Sequence, residues 1–180
     1  DLVTGVQTCA LPISNPAVPT KSEPKMPRIR FNRLELKIPP PVIVGIGGLL
    51  NWFATHWVND LFSPPWLLIA ALMVVSGVIG VAGVLGCLRC KTTLHPWNPG
   101  ETSVLVTQGV FRLSRNPMYL ALLLLLLAYY LYQPTWFSPF VFVVVTWYLT
   151  RFQVLPEECI LSEKFGDQYA QYASSVRRWL

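Results

Sequence analysis

The chain has 180 residues, of which 53% are hydrophobic and 13% are charged, and its formal net charge at pH 7 is +5. Its mean hydropathy of +0.45 is too high for an ordinary soluble domain, because so few polar residues cannot cover so many apolar ones. The composition therefore predicts one all-α unit embedded in a lipid bilayer. Attraction to an anionic leaflet accounts for the positive charge, so we expect no nucleic-acid partner.

Residues 1–25 are predicted to lie outside the fold. The run from Val3 to Ile13 resembles the translation of a sequencing-library adapter. It lacks the basic start of a signal peptide, and its apolar part is too short to be one. We expect a non-native or disordered leader up to position 25 and a single membrane domain over residues 26–180.

Four apolar segments follow this leader. Val42–Val58 and Trp66–Gly86 contain no Asp, Glu, Lys or Arg, and the second is long enough to cross about 30 Å of hydrocarbon. Met118–Tyr132 and Trp136–Thr150 are shorter and need the aromatic residues at their junction to extend them. The sequence thus predicts four transmembrane helices, followed by amphipathic cytoplasmic helices at the C-terminal end.

The positions of Lys and Arg predict how these helices are oriented. The connections Asn59–Pro65 and Gln133–Thr135 contain neither residue. Every basic residue after position 25 therefore falls on one side of the membrane, and the positive-inside bias makes that side cytoplasmic. We expect a multi-pass protein of a prokaryotic inner membrane with both termini in the cytoplasm.

The second segment contains glycines at positions that suggest close helix packing. Small residues let helix backbones approach each other inside lipid. No strand precedes these glycines and their spacing is wrong for a dinucleotide-binding turn, so we expect a packing role. The residues concerned are Gly77, Gly80, Gly83 and Gly86.

Other polar residues near these segments are weaker candidates for chemistry. Cys87 and Cys90 form a C-x-x-C pair with His95 nearby, but a zinc site needs about four ligands. Since the next cysteine, Cys159, is distant in the sequence, we expect no metal site. His56 is interpreted as an interfacial side chain, with a proton relay as the alternative.

The start of the third segment has a simple structural interpretation. Asn116 can cap a helix by accepting a hydrogen bond from a free backbone N–H, and Pro117 suits the first helical position. Arg112 and Arg115 would then be interfacial anchors that reach the lipid headgroups. On this interpretation the polar residues of this stretch only begin a helix.

The residues after the fourth segment suggest a polar pocket instead. Glu157 and Glu158 follow Pro156 and would suit a solvated helix start, where acids are favourable. If the helix continues through Pro156, however, Glu158 lies seven residues after Arg151 and shares its face. An acid and a base would then meet at the membrane surface, beside the basic start of the third segment.

The last part of the chain predicts a further amphipathic helix. Gly166 is expected to end the preceding helix, and Asp167 is expected to cap the next one. A stripe at helical spacing follows, which is core or closes over a ligand. Its members are Tyr169, Tyr172, Ala173 and Val176.

Two stretches, TQGVFRLSRNPMYLALLL and PEECILSEKFGDQYAQYASSVRRWL, together resemble the isoprenylcysteine carboxyl methyltransferase and phospholipid methyltransferase superfamily. The resemblance covers roughly Thr92 to Leu180. It consists of a Gly-aromatic turn, Arg-(His/Asn)-Pro-x-Tyr, a Glu pair, Phe-Gly, two tyrosines three apart and a terminal Arg-aromatic pair, in that order. It implies a membrane enzyme that holds S-adenosylmethionine at the cytoplasmic face with its C-terminal half, here about residues 92–180.

The resemblance also implies roles for particular residues. Glu157 and Glu158 would hold the cofactor's amino-acid part, and either would be the catalytic base if the acceptor must lose a proton. Asn116 stands where the eukaryotic prenylcysteine enzymes carry His, which bears on the choice of acceptor. The expected cofactor-binding residues, with Arg151 added for the face it shares with Glu158, are Gly109, Phe111, Arg115, Asn116, Pro117, Tyr119, Arg151, Glu157, Glu158, Tyr169, Tyr172 and Arg178.

The chemistry of S-adenosylmethionine agrees with this residue set. A glutamate suits the α-ammonium, an arginine suits the α-carboxylate, and tyrosine faces accept the sulfonium. The acceptor is expected to be apolar or lipid-like: an isoprenylcysteine carboxylate, a phospholipid amine or a small thiol. Two alternatives stay open, namely a nicotinamide-dependent membrane reductase of related architecture and a non-catalytic membrane subunit.

Overall fold

A computed structural model describes residues 38–57, 63–90 and 104–180, and within these ranges the chain is helical with no strand. The predicted leader, part of the first predicted connection and His95 lie outside the described residues. The elements are α1 (Pro40–Thr55), α2 (Trp66–Arg89), a 3₁₀ turn (Gly109–Arg112), α3 (Pro117–Tyr132), α4 (Ser138–Leu149), a π turn (Thr150–Val154), α5 (Leu155–Phe165) and α6 (Asp167–Ser175).

Helix α3 lies at the centre of the bundle. It contacts α1, α2 and α4, and eight of its 16 residues are buried. The outer helices instead expose large apolar side chains, of which Leu67 in α2 is 90% exposed. Because a continuous apolar exterior of this kind is unfavourable in water, lipid must cover it.

Two helices are long and apolar enough to cross a membrane. They are α2 and the continuous helix Ser138–Phe165, which α4, the π turn and α5 form together. Helices α1 and α3 are apolar but have 16 residues each, so at about 1.5 Å per residue each covers only about 24 Å. The all-helical class is confirmed for the described residues, with two helices that could span a membrane, and the number of four spans stays a prediction.

Small residues allow α2 to approach α3 closely. A Cβ added to Gly83 would lie 3.1 Å from a side-chain atom of α3, and one added to Gly80 would lie 3.4 Å from the Cβ of Ala121. On the same face, the Ser76 hydroxyl donates to the Ala121 carbonyl at 2.7 Å. Gly77 faces open space, so its predicted packing role is wrong, whereas the packing of Gly80, Gly83 and Gly86 is confirmed.

A buried polar network joins α1 to the connection between α3 and α4. Asn51 is fully buried, and its Oδ1 accepts from the hydroxyls of Ser138 at 2.7 Å and Thr135 at 3.0 Å. Its Nδ2 donates to the Gln133 carbonyl at 2.9 Å. Because an unpaired buried amide would be costly, these bonds fix the register of α1 against the hairpin.

Helices α1 and α4 approach each other closely at Gly47. A Cβ at Gly47 would lie 2.9 Å from Val145 Cγ2 and 3.2 Å from the Tyr130 hydroxyl, which donates to the Gly47 carbonyl at 3.1 Å. We expect Gly47→Ala to destabilise the fold by about 1–3 kcal/mol through overpacking. The higher helix propensity of alanine should offset up to about 1 kcal/mol of this loss.

The matched control for this substitution is Gly45→Ala in the same helix. Gly45 has no atom within 4 Å of its ideal Cβ position, so this change should keep or raise stability. Thermal midpoints of both variants in one detergent provide the measurement. Equal midpoints for the two variants would contradict the close approach at Gly47.

Candidate functional site

A short turn before α3 forms one side of the candidate site. Gly109 has a φ of 64°, a conformation that glycine adopts with little strain. The turn places Phe111 in a buried position, where its carbonyl accepts a 2.7 Å hydrogen bond from the Tyr172 hydroxyl. The Gly-aromatic turn therefore anchors α6. Pro117 occupies the first position of α3, as predicted.

Asn116 does not cap α3 in the predicted way. Its side chain makes no capping bond, and its Nδ2 donates to the Arg178 carbonyl at 3.1 Å. The Ser114 hydroxyl donates to the same carbonyl at 3.1 Å, and the backbone N–H of Arg115 donates to the Arg177 carbonyl at 3.1 Å. The interpretation as a plain helix start is wrong, because these residues hold the C-terminal tail, residues 176–180.

Glu157 and Glu158 lie inside a continuous helix, so they are not at a helix start. The π turn Thr150–Val154 comes directly before the turn that contains Pro156. In a regular α-helix the proline ring would clash with the carbonyl four residues earlier, and a wider turn relieves that clash. The helix does continue through Pro156, which was the condition for a face shared by Arg151 and Glu158, and a favourable interaction with a free helix N-terminus does not explain the two acids.

Glu158 is held by two arginines. It is only 8% exposed. Arg178 Nε lies 3.1 Å from both carboxylate oxygens, and its Nη2 lies 2.8 Å from Oε2. Arg115 Nη1 lies 3.3 Å from Oε1. The hydrogen bonds to Glu158 raise the pKa of the Arg178 guanidinium, so this side chain remains a cation.

Glu157 lies next to Glu158 in the chain and has a different partner. Together with Arg115, Tyr119 and Arg178, the two glutamates form what we call the polar cluster. The Tyr119 hydroxyl donates to Glu157 Oε2 at 2.9 Å. Arg115 lies two residues before α3 and Tyr119 lies in its first turn, so this part of the chain presents a guanidinium to Glu158 and a phenol to Glu157. The structure therefore brings both glutamates and three of the predicted binding residues, Arg115, Tyr119 and Arg178, into one place.

The Arg151 side chain lies outside the group formed by Arg115, Tyr119, Glu157, Glu158 and Arg178. Its side chain is exposed, and its guanidinium carbon lies 5.6 Å from the ring centroid of Phe152. The predicted shared face with Glu158 assumed regular α-helical periodicity between the two residues. The intervening π turn has more residues per turn and so rotates Glu158 about the helix axis, away from the face of Arg151.

Helix α6 packs as predicted, although it begins differently. Gly166 ends α5 with a φ of 51°, whereas Asp167 is the first residue of α6 and makes no side-chain cap. Tyr169 and Tyr172 are both buried and form a core cluster with residues from α2 and the segment before α3. The other buried members are Cys87, Leu105, Val106 and Phe111.

Two buried donors in this region, Arg115 Nε and the Tyr169 hydroxyl, make no hydrogen bond of good geometry among the described residues, although the Arg115 side chain lies near enough to the phenol to interact with it. Burial raises the pKa of Tyr169 to about 12, the charge of Glu158 adds to the rise, and nearby Arg115 opposes it. The phenol is therefore protonated at neutral pH. Since buried donors are rarely left unpaired, both groups suit a bound acceptor or anion.

Comparison with known proteins bears on the classes of function considered above. The chain matches phospholipid methyltransferases over residues 65–168. It belongs to the phospholipid methyltransferase family. It is 33% identical over 105 residues to protein-S-isoprenylcysteine O-methyltransferase A of Arabidopsis thaliana, which covers 58% of this chain and 53% of that protein. It is also 44% identical over 66 residues to an uncharacterized protein of Haemophilus influenzae, which covers 35% of this chain and all of that protein.

The family match both confirms and corrects the predicted resemblance. It begins near the start of α2, so it includes the second apolar segment as well as the predicted range from Thr92. It ends at residue 168, before Tyr169, Tyr172 and Arg178, whose roles stay predictions. The chain spans about half the length of the plant relative. Membership in this family favours methyl transfer over the nicotinamide-dependent reductase.

Asn116→Asp separates the tail-holding role of Asn116 from a capping role. Aspartate is a good helix cap, but it would place a charged oxygen where the amide now donates to the Arg178 carbonyl. We expect the tail to detach, with a loss of about 1–3 kcal/mol of stability. Faster deuterium exchange at residues 176–180 and a lower thermal midpoint would report the change.

Gln171→Glu is the matched control for this experiment. It makes the same amide-to-acid change at an exposed position of α6, so it should leave the exchange and the midpoint unchanged. A higher midpoint in Asn116→Asp, with the tail still protected from exchange, would restore the capping interpretation.

Proposed function

We propose that this protein is an integral membrane methyltransferase that uses S-adenosylmethionine and methylates an apolar or lipid-like acceptor. The observation that supports it best is the polar cluster at one end of a lipid-exposed bundle. There, Arg115 and Tyr119 from the start of α3 meet Glu157 and Glu158 from α5. Family membership supplies the reaction class, and the cluster supplies the chemistry for its methyl donor.

The polar cluster fits the amino-acid end of this cofactor. An α-ammonium group needs carboxylate oxygens, and an α-carboxylate needs strong donors. Glu157 offers the first, while Arg115 Nε and the Tyr169 hydroxyl are neighbouring buried donors that make no hydrogen bond of good geometry among the described residues. The tyrosine rings beside them suit a sulfonium cation. This combination of donors and acceptors matches a zwitterionic amino acid better than it matches a simple anion.

When bound, S-adenosylmethionine supplies an electrophilic methyl group on a positively charged sulfur. The protein's own contribution is to position the reactants and exclude water. Helix α6 and the tail pack over the start of α3, and the Tyr119 hydroxyl holds one oxygen of Glu157. A thiol or ammonium acceptor must lose a proton when it is methylated, whereas an ionised carboxylate acceptor needs no base.

The surface next to the cluster supports a lipid-like acceptor. An apolar groove of about 540 Å³ follows the seam between α1 and α4 from Trp57 to Ile38. The carbonyl of Ile38 accepts a 2.9 Å hydrogen bond from Gln153 Nε2, and Gln153 precedes Glu157 by four residues. The groove therefore reaches the continuous helix that carries Glu157, through the contact of Ile38 with Gln153. Isoprenylcysteine carboxylates and phospholipid amines are the acceptor classes that combine a hydrocarbon chain with a methylatable group.

The proposed function includes four spans with both termini in the cytoplasm, where the methyl donor would be available. Cysteine labelling at two exposed positions tests this topology. Trp136, 75% exposed between α3 and α4, should react from the outer side, and Glu163, exposed on α5, should react from the cytoplasmic side. Labelling of both positions from one side would contradict the four-span topology.

Substitution of the glutamates tests the cofactor site. Glu157→Gln and Glu158→Gln should each weaken S-adenosylmethionine binding, because each removes charge from the cluster. A charge-assisted bond of about 1.5–3 kcal/mol corresponds to roughly ten- to a hundredfold in Kd. Tyr119→Phe should cost less, since the ring remains. Calorimetry in one detergent measures all of these affinities.

Glu163→Gln is the control in the same helix, because Glu163 is exposed and its charge faces solvent. It should bind S-adenosylmethionine like the wild type. NADPH serves as the competing ligand. A wild-type protein that binds NADPH and not S-adenosylmethionine would overturn the proposal. Transfer of radiolabelled methyl groups into a membrane lipid extract, followed by separation of the products, then identifies the acceptor class.

A further inference from the structure

Helix α1 has an apolar groove on each of its two sides. The groove on the α4 side reaches the helix that carries Glu157, and the proposed function assigns it to the acceptor. A second apolar groove, of about 500 Å³, lies on the other side of α1, and the residues that line it belong to α1, α2 and α3. Val44 and Gly48 of α1 contribute to this second groove, so α1 separates it from the groove of the acceptor.

The second groove lies at the end of the bundle that is far from the polar cluster. Helix α3 starts beside the cluster, and the groove follows its far half, from Leu125 to Tyr132. Leu125 follows Tyr119 by six residues, which is about 9 Å along a helix. An occupant of the second groove is therefore held away from the residues that we propose for methyl transfer.

Aromatic side chains surround the far end of the second groove. The ring centroids of Trp66 and Tyr132 lie 5.6 Å apart, and both side chains are exposed. Beside them, the Tyr129 hydroxyl donates to Gln133 Oε1 at 2.9 Å. Tryptophan and tyrosine concentrate where the hydrocarbon of a bilayer meets the polar headgroups. This end of the groove therefore lies at the level of the headgroups, and the rest of it lies in the hydrocarbon.

The length of the second groove favours a hydrocarbon chain over a helix from another protein. The groove extends over seven residues of α2, from Trp66 to Met73, and over seven residues of α3. At about 1.5 Å per residue this is about 10 Å, or a third of the hydrocarbon thickness. A helix with its side chains is itself about 10 Å across, so only one or two of its residues would enter. An acyl chain is thinner and follows the whole groove.

The charge of the two connections at this end favours a headgroup that carries a cation. Residues 56–65 and 133–137 contain no Lys or Arg and one acid, Asp60. A purely anionic headgroup would meet no Lys or Arg in these connections, whereas the ammonium group of a zwitterionic headgroup is attracted by the acid. The basic residues that attract anionic lipid lie at the other end of the bundle.

We propose that the second groove binds one acyl chain of a zwitterionic phospholipid, as a structural lipid that the protein does not methylate. The chain fills the space between α1 and the pair of α2 and α3, and the headgroup lies against Trp66 and Tyr132. Because this lipid and the acceptor occupy opposite sides of α1, they are different molecules. The evidence for the lipid is independent of the methyl donor, so a failure of methyl transfer would leave it in place.

The first test fills the groove from α1. An ideal Cβ at Gly48 makes ordinary contact with the Tyr129 ring at 3.8 Å, so Gly48→Leu is accommodated at the backbone and its side chain occupies the groove. The probe is phosphatidylethanolamine with a photoreactive group in one acyl chain, added to the protein in detergent. In the wild type we expect cross-links to residues 66–73 and 125–132. Gly48→Leu should reduce the affinity about tenfold, as the loss of two buried methylene groups implies.

Gly45→Leu is the matched control in the same helix. Gly45 has no atom within 4 Å of its ideal Cβ position, so this variant should cross-link like the wild type. Met73→Trp narrows the groove from α2, at an exposed position, and should act like Gly48→Leu. Thermal midpoints without lipid show whether each variant is folded. Added phosphatidylethanolamine should raise the midpoint of the wild type and of Gly45→Leu more than that of Gly48→Leu.

Competition by unlabelled lipids tests the choice of headgroup. Phosphatidylethanolamine and phosphatidylcholine should displace the probe at about tenfold lower concentration than phosphatidylglycerol with the same acyl chains. Equal competition by phosphatidylglycerol would overturn the zwitterionic headgroup.

Three further results would overturn the structural lipid itself. The first is cross-linking confined to α1 and α4, which would place the probe in the groove of the acceptor. The second is methylation of the lipid cross-linked to residues 66–73 or 125–132. The third is a disulfide between two chains of Met73→Cys in native membranes, because a second copy would then cover the groove.

Discussion

A carboxylate buried at the end of an apolar helix is stable only when cations accompany it, and Glu158 is accompanied by two. Arg115 comes from the start of α3 and Arg178 from the C-terminal tail, so one charge connects three parts of the chain. Because an ion pair of this kind is favourable only with good geometry and satisfied partners, the tail must be held in place. The bonds from Ser114 and Asn116 to the Arg178 carbonyl do this, and the same arrangement leaves Tyr119 beside Glu157.

The features that the sequence predicted correctly depend on local backbone and periodicity. Gly109 and Gly166 both have positive φ, a conformation that favours glycine, so their turns could be expected from residue type alone. Pro117 begins α3 because it needs no hydrogen-bond donor there. Tyr169 and Tyr172 are buried as their helical spacing indicated. The residue pattern also predicted a polar pocket between the Glu pair and the basic start of the third segment, but it paired Glu158 with Arg151, whereas the structure pairs Glu158 with Arg115 and Arg178.

The features that the sequence did not predict depend on distant partners or irregular geometry. Asn116 bonds a carbonyl 62 residues away, and nothing in the local sequence distinguishes such a bond from helix capping. The π turn changed the relation between Arg151 and Glu158, and the register shift that it causes is not visible in residue spacing. Asn51 gave a signal that was missed, because an amide within an apolar segment must find partners. Their identity, Thr135 and Ser138, required the structure.

The bonds of the tail also determine the order in which the molecule can assemble. They join residues 62 to 64 positions apart in the chain, and closing such a long loop costs conformational entropy before any bond is gained. Packing of α3 against α4 and its continuation shortens that search, so the polar cluster is completed after the bundle. A chain can thus have a complete bundle and still lack the polar cluster. Any ligand that binds only the completed cluster would shift this population toward the finished form by mass action.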